Sequence, residues 1–276
     1  RAGAATAAYV SGTVVGGFAG RLIAGVVAAD VSWRTSFLVL GAINAVAAWL
    51  LWMKLPGDQR SALPPRGHSR IGAVVGLLRN PQLVSAYVVG FGVLFSLVAT
   101  FTYVTFLLAA PPYGLSTIAL GSVFFVYLVG AAITPVVGRV IDRYGHRHGM
   151  AVAVAFGIVG ALLTLGGNLP IILVGLATCS TGVFIAQTAA SSYVGAAAER
   201  DRGLAVGLYA TFYYVGGTVG GSLPAIFWER WGWPACVLLV VAVQLAVAVV
   251  SITFWSDRRP GKGPPAGGRL EPGITD

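Results

Sequence analysis

The sequence predicts an all-α integral membrane protein with eight membrane-spanning helices. Three observations predict it. First, of 276 residues 57% are hydrophobic and only 10% charged, against about 25% charged in soluble domains, so a water-facing surface of this size cannot be clothed. Second, the apolar residues fall in blocks of about the 20-residue length a helix needs to cross a bilayer. Third, 15 of the 18 Lys and Arg residues lie at alternate inter-block connections, only Arg34 and Arg230 lie at the others, and Arg21 lies within a block.

The eight blocks are Ala4–Ala29, Thr35–Met53, Leu83–Ala110, Ile118–Val137, Gly149–Gly166, Ile171–Ala197, Leu204–Phe227 and Pro234–Phe254. Helix is the expected form of each, because lipid offers backbone groups no partner and alternating strand patterns are missing. The basic connections are expected in the cytoplasm by the positive-inside rule. They carry Arg1; Lys54, Arg60, Arg66, Arg70 and Arg79; Arg139, Arg143 and Arg147; Arg200 and Arg202; and Arg258, Arg259, Lys262 and Arg269. One miscounted span would scramble this alternation.

The net charge of +9 does not point to nucleic acid, since the basic residues are interleaved with apolar blocks instead of sharing a soluble face. Cys179 and Cys236 both lie inside blocks and read as buried thiols, not as a disulfide or metal set. The chain opens on Arg1 without a secretory leader, which predicts that earlier spans precede it. Residues 54–82 form the one long connection, rich in Pro, Gly and Arg, with a short apolar stretch Ile71–Leu78 expected at the interface. The tail from Ser256 is Gly- and Pro-rich and expected to be disordered.

A shift of 204 residues lays Tyr9–Gly17 (YVSGTVVGG) on Tyr213–Gly221 (YYVGGTVGG), so that Gly12, Gly16 and Gly17 fall on Gly216, Gly220 and Gly221. Such an internal match six spans apart is the period of a protein built from two six-helix halves. Gly12, Gly16 and Gly20 also form a small-residue ridge of the kind that lets helices approach closely.

The connection after the fourth block reads Gly138-Arg-Val-Ile-Asp142-Arg143-Tyr-Gly145-His146-Arg147. Gly145 suits a left-handed turn, Asp142 suits exposed amides at a helix start, and Arg143 and Arg147 suit an anionic leaflet. The spacing resembles the signature G-x-x-x-D-R-x-G-R-R of the major facilitator superfamily, with His146 replacing the first of the last two basic residues. The first block, SGTVVGGFAGRLIAG, is similar to the glycine-rich fifth helix of the family's efflux branch. Thr13 stands where the exporter pattern G-P-x-x-G-G has proline. Together with Ser32-Trp33-Arg34, this stretch looks most like bacterial sugar-efflux and multidrug-efflux members.

The resemblance covers essentially all of Arg1–Trp255. It implies helices five to twelve of a twelve-helix, two-half transporter fold. Residues 1–55 would be the last two helices of the amino-terminal half, 56–82 the cytoplasmic linker, 83–255 the carboxyl-terminal half and 256–276 the tail. It implies a secondary active transporter in the cytoplasmic (inner) membrane, an antiporter-like exporter of a sugar or drug-like solute by alternating access, with protons as the coupling ion to test. A non-transporting solute sensor or scaffold on the same fold is the other reading, since fold alone does not fix function. No enzyme is expected: the acids and histidines all lie in connections, at span ends or in the tail, with no catalytic set or metal ligands at membrane depth. No cofactor is expected either.

Ionisable or amide groups inside a membrane mark solute or ion pathways. Arg21 is the one charge inside a block, open to anion binding, gating or snorkelling. Polar and aromatic stripes at helical spacing nominate Thr100 and Tyr103 (with Ser96), Tyr127 and Thr134 (with Phe124), Gln187 and Ser191 (with Ser180 and Phe184), and Tyr209 and Tyr213. Interhelical hydrogen bonding is the competing role of each Ser and Thr. For Gln187 and Tyr213 the cavity role is expected.

Overall fold

A computed structural model describes residues 2–54, 70–130, 132–133, 144–198 and 201–255. Among them there is no strand. The helices are α1 (Ala2–Asp30), α2 (Trp33–Lys54), α3 (Arg70–Arg79), α4 (Pro81–Ala109), α5 (Thr117–Gly130), α6 (His146–Leu163), α7 (Leu169–Ala197), α8 (Arg202–Ser222), α9 (Pro224–Trp231) and α10 (Trp233–Phe254). Five of them, α2, α4, α6, α7 and α10, are long and apolar enough to cross a membrane. Each of the eight sequence blocks falls on helix, although the described part of the fourth ends near residue 133.

Local chemistry sets the ends. Asn80 caps α4, its Oδ1 accepting from the amides of Gln82 (2.9 Å) and Leu83 (3.4 Å), with Pro81 at the first helical position, where its missing N–H is no loss. Pro111 and Pro112 follow the end of α4. Ser116 caps α5, accepting from the Ala119 amide, and α5 tightens to a single 3-10 turn at Val123–Phe125. The sequence expected one helix over Leu204–Phe227. The structure divides it at Leu223, because Pro224 has no N–H to continue the ladder and opens α9 instead. The stretch Ile71–Leu78 is helical within α3 and exposes Ile71, Val75 and Leu78.

α4 is the axle of the carboxyl-terminal bundle. It packs on α8, α10 and α7, while α6 packs on α7 and α10. Tyr87, Phe95, Phe101, Leu83 and Leu108 of α4 are almost wholly buried. Backbone meets backbone at the α4–α8 crossing: a Cβ on Gly216 would stand 2.1 Å from the Phe91 carbonyl oxygen, and one on Gly220 2.5 Å from that of Phe95. Small residues are what permits such an approach between membrane helices.

The outward faces are apolar as well. Trp49, Leu51 and Trp52 of α2, Val174 of α7 and Leu238 and Val249 of α10 are exposed. In water such faces would be costly, whereas in lipid they are the solvated surface. Several serines and threonines inside the spans return their protons to their own helix, as Ser96 does to the Gly92 oxygen (2.8 Å) and Thr181 to that of Ala177 (2.8 Å), which pairs those hydroxyls without water.

α1 stands against α5. Among the glycines of α1 the close one is Gly25, where a Cβ would lie 3.3 Å from the Thr117 oxygen and 3.5 Å from Gly121 Cα. The ridge expected at Gly12, Gly16 and Gly20 meets no described atom within 4 Å, and Gly17 meets only the Arg21 side chain. On this helix the close contact is made one turn beyond the ridge.

Candidate functional site

Two polar arrangements join helices at the positions nominated from sequence. The first lies between α7 and α8. Tyr213 Oη donates to Gln187 Oε1 at 2.9 Å, and both side chains are half-buried. Ser191, one turn along α7, is exposed and donates to the Gln187 carbonyl at 2.7 Å. Tyr209 stacks beneath Tyr213, ring centroids 5.9 Å apart. Its own ring fills the space over Gly90, where a Cβ would come within 2.5 Å of it. An amide at mid-helix turns to protein or water and not to lipid, and this pair leaves an accessible polar edge on an aromatic floor.

The second lies between α1 and α5. The Arg21 guanidinium carbon stands 4.9 Å from the Phe124 ring centroid and 5.5 Å from that of Tyr127. Nη1 donates to the Gly17 carbonyl at 3.0 Å. Phe18 packs on Phe125 alongside, at 4.5 Å. A charge within a membrane helix costs at most about 2.5–3.5 kcal/mol on insertion scales, the value at the helix centre, and cation–π contact returns about 0.5–2 kcal/mol. The partners of Arg21 among the described residues are this carbonyl and these rings, with no carboxylate among them. Tyr127 is itself packed edge-on by Phe101, Phe124 and Phe184, and its buried hydroxyl has no hydrogen-bond partner among the described residues.

Tyr103, Thr100 and Ser180 lie within the bundle, while Gly145 and Arg147 stand at the start of α6. Tyr103 is buried and donates to the Gly221 carbonyl at 2.9 Å, with Phe106 and Trp228 around its ring. Thr100 is buried beside the Cys179 thiol. Ser180 donates to the Val126 carbonyl at 3.3 Å, tying α7 to α5. Gly145 has φ +94° at the start of α6, a value that favours glycine, and Arg147 follows it in the first turn. Thr134, Gly138, Asp142 and Arg143 lie outside the described residues. Both cysteines are buried free thiols.

One residue was not singled out from sequence. Gln244 sits in the middle of α10 and is buried, its Nε2 without a partner among the described residues. It lines a cavity of about 20 Å³ with Ser96, Ala153, Gly182 and Val247, room for one water. Its side chain lies on Gly157, where a Cβ would be 2.0 Å from Oε1. The signal was available: Gln244 is a lone amide in an apolar helix, like Gln187.

The family model described as Major Facilitator Superfamily matches residues 1–134 and 104–275. An uncharacterized MFS-type transporter of Bacillus subtilis is 30% identical over 267 residues, covering 95% of this chain and 66% of the relative. The inner membrane transport protein YnfM of Escherichia coli is 31% identical over 244 residues, covering 88% of this chain and 58% of the relative. An uncharacterized transporter of Buchnera aphidicola is 27% identical, covering 88% and 59%. The chain thus spans about two-thirds or less of the length of these relatives.

Proposed function

This chain belongs to the Major Facilitator Superfamily, and from that premise we propose that it forms the greater part of a secondary active transporter that exports a small organic solute by alternating access. The observation that carries the reading is the Tyr213–Gln187 bond, a half-buried polar pair on neighbouring helices of an otherwise apolar bundle. A solute hydroxyl, which both donates and accepts, can insert between the two partners and satisfy both, so binding there need leave no group unpaired. The aromatic floor of Tyr209 and Tyr213 suits a solute with an apolar body.

In this reading residues 1–55 close the amino-terminal half, 56–82 link the halves and 83–255 make the carboxyl-terminal half. Twelve helices in all rock about a central cavity in the cytoplasmic membrane, a placing supported by the name of the Escherichia coli relative. In the same reading Gly138, Asp142, Arg143, Gly145 and Arg147 belong to a cytoplasmic gating loop, in which the charge of Asp142 would suit the amides of a helix start. Counterflow of labelled sugars, drug-like amines and organic acids in proteoliposomes tests the reading. Trans-stimulated uptake of one class is expected, and no counterflow of any class would leave a protein that senses but does not transport.

A further inference from the structure

We propose, resting on the transporter reading, that Arg21 is a solute-binding residue and that the solute class is a small organic anion with a flat apolar body. The guanidinium lies between α1 and α5, over the rings of Phe124 and Tyr127. A cation over a ring spends no N–H donor on it. Of the five donors a guanidinium carries, the described structure directs Nη1 to the Gly17 carbonyl, which leaves a fork suited to a carboxylate or phosphate. Phe124 supplies an apolar face against the guanidinium, and Phe18 and Phe125 pack on each other between the same two helices. The Tyr127 hydroxyl, on a ring whose centroid lies 5.5 Å from the guanidinium carbon, is buried and unpartnered among the described residues and offers a second donor.

Among the described residues no carboxylate pairs with this charge. The acids among them are Asp30, at the end of α1, Asp201 before α8 and Glu229 in α9. Asp30 lies nine residues from Arg21, about 14 Å along the helix axis. A charge held over aromatic rings, with donors left unspent among the described residues, can receive an anion brought from outside them. Because the rings belong to α5 and the charge to α1, an anion bound there fastens the two helices to each other.

The test uses the purified chain in lipid nanodiscs and three probes of one shape: benzoate, benzamide and benzylammonium. Calorimetric titration is expected to show benzoate binding at least about tenfold tighter than benzamide, with benzylammonium weakest. Arg21→Gln should bring benzoate down to the benzamide level, Arg21→Lys should fall between, and Tyr127→Phe should weaken benzoate a few-fold. Equal binding of benzoate and benzamide by the wild-type chain overturns the proposal without any variant needing to fold, and so does absence of benzoate binding. Discs of phosphatidylcholine and of phosphatidylglycerol separate a soluble solute from a lipid headgroup. Benzoate binding abolished by phosphatidylglycerol would assign the site to lipid and overturn the solute class. Counterflow that persists for neutral or cationic solutes and ignores Arg21→Gln would remove the anion class while leaving the transporter reading. Benzoate binding with no counterflow of any solute would do the reverse.

Discussion

Tyr213 donates its phenolic proton to Gln187 Oε1 at 2.9 Å, joining α8 to α7 through side chains that are both half-buried. If this pair meets solute, Gln187→Ala and Tyr213→Phe should each change solute affinity several-fold, the equivalent of about 1 kcal/mol for one hydrogen bond. Cys236, whose thiol is buried against the Pro224 carbonyl, is the control: Cys236→Ala should leave affinity unchanged. Concentration-dependent transport in vesicles reads all three. Equal, negligible effects would make the pair a packing bond.

The α4–α8 crossing predicts a contrast among glycines. Gly216→Ala and Gly220→Ala place a methyl within 2.1 Å and 2.5 Å of backbone oxygens, which cannot swing aside as a side chain can. Each should destabilise by about 1–3 kcal/mol, seen as a lowered midpoint of thermal unfolding in detergent. Gly12→Ala and Gly20→Ala, with no described atom within 4 Å, should be neutral or slightly stabilising through helix propensity. A uniform response across the four would remove the close-contact argument.

These glycines also mark what could be read in advance. Uninterrupted apolar runs dictate helix wherever water is absent, so the blocks from Ala4 to Phe254 were legible as elements. The pairing of Gln187 with Tyr213 was legible as two separate polar residues on apolar helices, though not as a bond, because which helices are neighbours is a tertiary fact. The division at Leu223 was masked by continuous hydrophobicity across it, although Pro224 was the signal. The ridge at Gly12, Gly16 and Gly20 could not show where the partner stands. The contact to α5 is made at Gly25, since helix crossing and not glycine spacing selects the residue that touches. Tyr103 reads on a helical wheel like Tyr213, yet it turns inward to the Gly221 carbonyl.

Gln244 and Gly157 should behave as a coupled pair. Gly157→Ala alone drives a methyl into the Gln244 amide and should lower stability by about 1–3 kcal/mol. Gln244→Leu alone removes a buried donor that has no partner among the described residues and should be neutral or stabilising. In the double variant the Gly157→Ala penalty should shrink, giving an interaction term of about 0.5–3 kcal/mol in a thermal-stability cycle. Strict additivity would place the two residues out of contact.

Tyr103→Phe separates packing from binding. The substitution leaves the ring against Phe106 and Trp228 and strips the Gly221 carbonyl of its extra donor. Stability should fall by about 1 kcal/mol while solute affinity stays as in wild type. A changed affinity at unchanged stability would return Tyr103 to the cavity lining.

Charge fixes a last expectation, the orientation of the whole array. Lys54, Arg70, Arg79, Arg147 and Arg202 flank helix ends on one side, and only Arg34 and Arg230 flank them on the other. Arg34 and Arg230 each lie over a neighbouring tryptophan, Trp33 at 4.7 Å and Trp231 at 5.9 Å. Tryptophan belongs at the membrane–water interface, and a cation folded onto its ring is held at that level. The translocation machinery retains Lys- and Arg-rich short connections in the cytoplasm, so the side bearing Gly145 should be cytoplasmic and the side bearing Gly114 external. Single cysteines at 114 and 145, in a chain whose Cys179 and Cys236 are replaced by Ala, test this with a membrane-impermeant maleimide on intact cells. Labelling at 114 alone is expected before lysis, and at both positions after it. Labelling of 145 in intact cells would invert the array and, with it, the assignment of the Gly138–Arg147 loop to the cytoplasmic face.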